Sequence, residues 1–389
     1  MKTLLVTLTI LLVGTAAWWH WPEEPTVPED ISALIIGAGA AGLSAAQELE
    51  AAGIDYTILE ASGTYGGRMK ESTDFADFPI DLGAEWIHED PEVLNDMAGT
   101  DVLDEIEITV YNPRELLVAV DGELTDKSDE LRDYQEWKFT DSTWFSFFDS
   151  YVVPSVEENI IYNQPVSEVI YSDSGVRLET TTGDTYEADY AIVAVPVTIL
   201  QNEYVTFTPP LPESKTAALN QIEMSPGFKL FIEFSEQFYP EMLLLEEPDP
   251  DRPYEEKTFY DATFGKDTSQ HVMGILINGE YAKPYLNLTE SEIITALLAE
   301  LDTVYDGQAS AAYQDHILQN WSEEPFIQGT YTTNTEGFYL KTLRDARRTV
   351  ADRVFFAGAT YDAEQQGTVP GAWRGGVAAA EAITDLADY

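Results

Sequence analysis

The chain has 389 residues, and its 20 Lys and Arg against 70 Asp and Glu give a formal net charge of −50 with His neutral. Hydrophobic residues at 44% and aromatics at 12% are enough for a buried core, so this is no acidic disordered tail, and the surplus negative charge argues against nucleic acid as a partner. Cys is absent, which removes disulfides, thiolate nucleophiles and thiolate metal sites; His20, His88, His271 and His316 are scattered without metal-ligand spacing.

In chain order, Lys2 precedes an apolar run from Leu4 to Val13 that ends in Gly14, Thr15, Ala16 and Ala17, the layout of a signal peptide over 1–21. Trp18, Trp19 and Trp21 follow at once and suit a membrane interface, so an N-terminal tether is the alternative to cleavage. Either outcome, with Lys2 before the run and the acidic 22–30 linker after it, predicts export of the remainder from the cytoplasm.

Ile31 to Ile36 reads as a short buried strand running into Gly37-Ala38-Gly39-Ala40-Ala41-Gly42. Leu43, Ala46 and Leu49 then recur at helical spacing through Ala52, and Ile54 to Leu59 reads as a second strand ending at Glu60. This is a βαβ unit with a dinucleotide fingerprint: Gly37 permits the tight turn, Gly39 lets the backbone approach a pyrophosphate, and Gly42 lets helix and strand pack closely. Ala41 belongs to the same cofactor-contacting turn. Glu60 is placed to take ribose hydroxyls, which favours FAD or NAD over a 2′-phosphorylated cofactor.

Beyond Glu60 come ILEASGTYGGRM, ending at Met69, and DLGAEWIH, from Asp81 to His88. These segments resemble the flavin-containing amine oxidase family, which includes monoamine oxidases, polyamine oxidases and flavin-dependent histone demethylases, and the polyamine oxidases are the nearest in pattern. The likeness continues in order through Asn163 to Pro196, Phe207 to Pro212, Met224 to Phe234, Trp321, Gly329-Thr330-Tyr331, Val354 to Thr360 and Gly367 to Ala372. It implies an α/β protein with a Rossmann-like FAD/NAD(P)-binding domain (31–95, 160–206 and 325–389) and an interleaved α+β substrate domain (96–159 and 207–324).

The same resemblance implies FAD held by Gly67 and Arg68, with Arg68 on the pyrophosphate, and by Gly83, Ala84, Glu85, Trp86, Trp321, Gly358, Ala359, Thr368 and Val369, while the backbone of Val166 meets adenine. The acidic residue usual after Phe-Ala-Gly is Ala359 here, with Asp362 and Glu364 as candidate replacements. Thr330 stands where monoamine oxidases carry the flavin-linking cysteine, so non-covalent FAD is expected. The chain is short for a polyamine oxidase, which implies a trimmed substrate domain.

For chemistry, the resemblance makes Tyr331 one wall of an aromatic cage with Thr368 at the second position. It makes Lys229 the lysine that holds a water at the flavin, and His88 a contact for the substrate amine. The residues alone leave other readings open: Tyr331 as packing, His88 as a satisfied loop histidine, and Lys229 as the solvated face of a half-buried strand in which Phe228, Leu230, Ile232 and Phe234 alternate inward. Glu85 is a second candidate reader of a cationic substrate. Thr289 to Glu292 opens a scaffold helix with a capping box, and 101–162 is expected to wall the substrate domain.

The expected reaction is FAD-dependent oxidation of a primary or secondary amine, with a polyamine as the leading substrate and O2 as the acceptor giving H2O2. A rival on the same fold is an amino-acid oxidase or desaturase, for which Arg114, Arg132 or Arg252 would read a carboxylate. A rival of another class is a flavin-binding partner protein without turnover.

Overall fold

The computed structural model describes residues 31–120, 122–252, 255–333 and 339–387; the expected signal segment and linker, 1–30, lie outside them. A parallel sheet begins with β1 (Ser32–Ile36) and β2 (Asp55–Leu59), joined by α1 (Ala40–Ala52). Its order is Ile160–Ile161, β2, β1, Tyr190–Val193, Val354–Phe356, with every pair parallel. Such a sheet has both faces covered, which is why β1 is a near-continuous apolar run. Ile35 and Ala33 pack on the α1 side, whereas Leu34 and Ile36 pack with Val169, Leu178 and Val193 on the other. α1 ends at Gly53, whose φ of 72° permits the left-handed cap. The C-terminal helix Val369–Ala387 lies against α1, and a Cβ on Gly376 would sit 2.1 Å from the Ala41 carbonyl oxygen, so the close crossing requires glycine.

A second, seven-stranded sheet runs Tyr313–Asn320, Gly227–Phe234, His271–Asn278, Lys257–Asp261, Met242–Leu244, Leu116–Val120, Glu123–Asp126. Helix Glu290–Val304 starts with the expected Thr289–Glu292 capping box and lays Ile293, Leu297 and Leu301 under this sheet. The strand Gly227–Phe234 differs from the half-buried element that its alternation predicts. It is central, paired on both sides, and covered on both faces: Phe228 and Leu230 meet the helix-side core, while Phe231 meets Phe78, Leu82 and Tyr260. Lys229 is therefore 2% exposed, and the solvated reading falls.

In the aromatic segment 101–162, strands Ile108–Tyr111 and Glu136–Phe139 form a small sheet with Trp86–Ile87. Thr143 caps the helix Trp144–Tyr151 by accepting from the Ser146 N–H. Trp144, Phe147 and Phe148 pack into the same core as Ile35 and Leu43, so this segment braces the nucleotide side as well. Among the described residues no helix is long and apolar enough to cross a membrane.

Candidate active site

The turn after β1 is built as its glycines demand. Gly37 has φ of 101°, and a Cβ on Gly42 would lie 1.9 Å from the Gly37 carbonyl oxygen. At Gly39 an added Cβ would meet nothing nearer than Gly67 Cα at 4.0 Å, so that backbone faces open space. The loop Gly66–Met69 runs alongside, with the Gly66 N–H donating to the Ala38 carbonyl at 2.8 Å. Glu60 closes the end of β2: its carboxylate accepts from the Ala38 N–H at 2.7 Å and from the Ser62 N–H and hydroxyl, both at 2.8 Å.

Arg68 is the fit test for a dinucleotide. Its guanidinium donates to the Thr330 carbonyl but makes no ion pair among the described residues, and burial draws its pKa down to about 10, so it stays cationic at neutral pH. A desolvated cation lacking a protein anion, opposite glycine backbone, suits a pyrophosphate. These residues border a cavity of about 1020 Å³, at the upper end of ligand-site volumes.

Most residues singled out from the sequence line that one cavity: Gly39, Ala41, Glu60, Gly67, Arg68, Gly83, Ala84, Glu85, Trp86, His88, Lys229, Trp321, Tyr331, Gly358, Ala359, Thr368 and Val369. Gly37 and Gly42 act one layer back, through turn geometry and packing. Val166 does not border the cavity; it pairs with Thr180 and its side chain belongs to the apolar core around Leu34 and Leu59. Of the two candidates beside Ala359, Glu364 lines the cavity. Asp362 instead accepts from the N–H groups of Glu364 and Gln365, at 2.9 and 2.6 Å, and orders its own loop.

On the substrate side, Tyr331 is anchored through its hydroxyl, which donates to Glu256 Oε1 at 2.7 Å and accepts from Asn278 Nδ2. Burial and the adjacent Glu256 carboxylate push the phenol's pKa well up, so it remains a neutral donor. Thr368 is tied back to the Gln365 carbonyl at 2.8 Å, and the Thr330 hydroxyl to the Ser225 carbonyl at 3.0 Å. Trp321 donates its indole N–H to the Leu82 carbonyl at 3.0 Å, which fixes that wall. His88 sits at the rim, 42% exposed in its side chain and 3.3 Å from Glu136. Arg114, Arg132 and Arg252 do not border the cavity, and Arg252 is surrounded by Asp249, Glu255 and Glu280.

Glu85 departs from its expected part as a reader of substrate charge. It is 7% exposed and lies between two lysines, with Oε1 2.6 Å from Lys138 Nζ and Oε2 2.5 Å from Lys229 Nζ, and it accepts from the Tyr260 hydroxyl at 2.5 Å. Burial works to raise its pKa, but Lys138 and Lys229 outweigh it and hold the carboxyl well below the usual range. The residues that sequence reasoning passed over include Lys138, Tyr260 and the lining carboxylates Glu71, Glu246, Glu255, Glu256 and Glu324. Glu255-Glu256 directly precedes the strand Lys257–Asp261, but in a chain this acidic one more Glu pair carries no signal.

Comparison with known proteins agrees with this geometry. The family model for flavin containing amine oxidoreductase matches residues 40–140 and 152–384. Polyamine oxidase 3 of Oryza sativa subsp. japonica is 23% identical over 90% of this chain and 88% of its own. Human lysine-specific histone demethylase 2 is 23% identical over 96% of this chain and 56% of its own. Among solved structures, a putrescine oxidase triple mutant superimposes with a TM-score of 0.76 at 17% identity, covering 92% of this chain and 99% of that one. Cyclohexylamine oxidase from Brevibacterium oxydans IH-35A gives 0.75 at 19%, with the same coverage. The chain thus belongs to the flavin-containing amine oxidoreductase family, enzymes that oxidise CH–NH and CH–NH2 donors on a bound flavin.

Proposed function

We propose that this enzyme holds FAD non-covalently in the cavity and oxidises a polyamine to an imine outside the cytoplasm, passing electrons to O2 to give H2O2. The segments 31–95, 160–206 and 325–389 form its flavin domain in this reading, and 96–159 with 207–324 its substrate domain. The observation that carries the substrate class is the acidity of the lining, where Glu246, Glu255, Glu256, Glu324 and Glu364 join Glu60, Glu71 and Glu85, with Glu256 bonded directly to Tyr331. The field of these groups concentrates a polycation at the cavity and raises its rate of encounter.

When bound, the flavin supplies the hydride acceptor for the amine α-carbon. The protein's own residues orient and enclose. Tyr331, fixed at its hydroxyl by Glu256 and Asn278, presents a ring that cannot swing away, and its π face favours an incoming cation. The carboxylates favour a charged nitrogen, whereas the nitrogen that reacts must be neutral. A substrate with several nitrogens satisfies both demands, one remaining charged while another gives up its proton. Lack of cysteine and the tethered Thr330 hydroxyl support a flavin without a covalent link.

The test is anaerobic mixing of the purified yellow protein with spermine, spermidine, putrescine, benzylamine and an L-amino acid. Bleaching by at least one polyamine, faster than by benzylamine or the amino acid, is the expected result; bleaching by the amino acid alone would replace this reading. Acid precipitation should leave the flavin in the supernatant, and a periplasmic-type reporter fused after Asp30 should be active only when exported.

A further inference from the structure

We infer that Lys138, Glu85 and Lys229 form a buried charge clamp that fixes the Lys229 ammonium at the cavity wall, with Lys138 and Glu85 as positioning residues that set the electrostatics felt by the flavin. Lys138 and Lys229 are each 2% exposed and Glu85 7%, in a protein whose formal charge is −50. Lys229 Nζ meets three acceptors, the Asp81 carbonyl at 2.9 Å, the Gly83 carbonyl at 3.1 Å and Glu85 Oε2 at 2.5 Å. Three acceptors match the three N–H donors of an ammonium, so the side chain has no donor left over and acts as a fixed charge.

The second oxygen of Glu85 serves Lys138, 2.6 Å away, whose Nζ lies 5.6, 5.1 and 5.4 Å from the ring centres of Trp86, Tyr111 and Tyr260. That ion pair is a charge contact rather than an aligned hydrogen bond, and the three rings add favourable cation–π contact. Within the triad one carboxylate is shared by two ammonium groups, a net charge of +1, with buried Asp81 beside Glu85 and Lys229 and with Lys266 beside Lys138. Desolvating three charged groups is costly, and removing one partner alone leaves a buried charge uncompensated. Lys229, Glu85, Tyr260 and Trp86 all border the cavity, and Lys229 bridges the central antiparallel strand to the 81–86 loop, where Gly83 packs against the Arg68 carbonyl. The clamp therefore sits between substrate wall and cofactor cradle.

The experiment measures the midpoint potential of the bound flavin in Lys138→Met, Glu85→Gln and the double variant, after flavin content and melting temperature are recorded. It rests on flavin occupying this cavity, which the flavin content of the wild-type protein reports separately from the potential. Net charge on the triad is +1 in the native protein, 0 in Lys138→Met and +1 again in the double variant. The potential should fall in Lys138→Met by the equivalent of at least a tenfold change in the reduction equilibrium, about 30 mV for a two-electron couple. It should return toward the native value in the double variant and rise in Glu85→Gln. A structural role alone would move all folded variants in one direction. Potentials that are unchanged, or that lie as far from the native value in the double variant as in Lys138→Met, overturn the proposal. If Glu85→Gln fails to fold because two lysines lose their partner, the other two variants still decide it.

Discussion

On the nucleotide side of the cavity the working surface is main chain: the turn from Gly37 to Gly42 and the Gly66–Met69 loop, with the Glu60 carboxylate tying the end of β2 to the turn at Ala38. On the substrate side it is side chains brought together from distant strands, with Glu85, Lys138 and Lys229 meeting from three separate segments and Tyr331 held by Glu256 and Asn278. The first kind of surface is specified locally, since a glycine is needed where a Cβ has no room. The second depends on register and on which strand becomes central, and no short stretch of sequence contains it.

The largest expected effects separate packing from ligand contact within the glycine turn. Gly42→Ala places a methyl 1.9 Å from a carbonyl oxygen and should destabilise the fold by about 3 kcal/mol or more, visible as a large fall in melting temperature. Gly39→Val adds its bulk toward open cavity, so the purified protein should melt near the wild-type apoprotein yet hold almost no flavin. Flavin occupancy near wild type in Gly39→Val would mean that the cofactor does not approach this backbone.

That asymmetry explains what was legible in the sequence. Gly37, Gly39, Gly42 and Glu60 could be placed because turn, helix and strand follow one another within a few dozen residues, whereas Arg68 was named by resemblance. Lys229 could be named by resemblance, but its burial could not, because alternation describes one covered face and this strand has two. Lys138 lies in Glu136–Phe139, where Trp137 and Phe139 flank it, and nothing local says that its ammonium enters a ring of aromatics from 86, 111 and 260. Val166 was named for its main chain, and its side chain packs in the core around Leu34 and Leu59, a placement that neither supports nor corrects the backbone role.

A medium effect sharpens the substrate side. Glu256→Gln removes a charge from the lining but keeps an oxygen for the Tyr331 hydroxyl. KM for a polyamine should rise about tenfold, roughly 1.4 kcal/mol of binding, with kcat and flavin content little changed. Glu256→Ala frees the ring as well and should lower kcat too. Equal KM values for Glu256→Gln and wild type would detach the carboxylates from substrate recognition.

A pH-dependent effect concerns a buried lysine that no carboxylate accompanies among the described residues. Lys215, 2% exposed, donates to the Ala346 carbonyl in the last turn of the helix Tyr339–Arg347 and to the Arg348 carbonyl just past it, and lies 3.3 Å from the Phe356 ring centre. Burial lowers its pKa to about 7, whereas in the unfolded chain a lysine titrates near about 10.4. Between those values the unfolded state binds the extra proton, so stability should rise with pH, by at most about 1.4 kcal/mol per pH unit for one proton. Below about pH 7 both states are protonated and the burial penalty is present in full. Lys215→Met abolishes this slope, and the stability of wild type relative to the variant should therefore grow from about pH 7 to about pH 10 in urea titrations. Parallel curves would mean that two carbonyls and an aromatic face keep an amine charged without a carboxylate. The shared Glu85 would then be unnecessary for holding charge in the interior, and its place between two lysines would have to be explained by the cavity it borders.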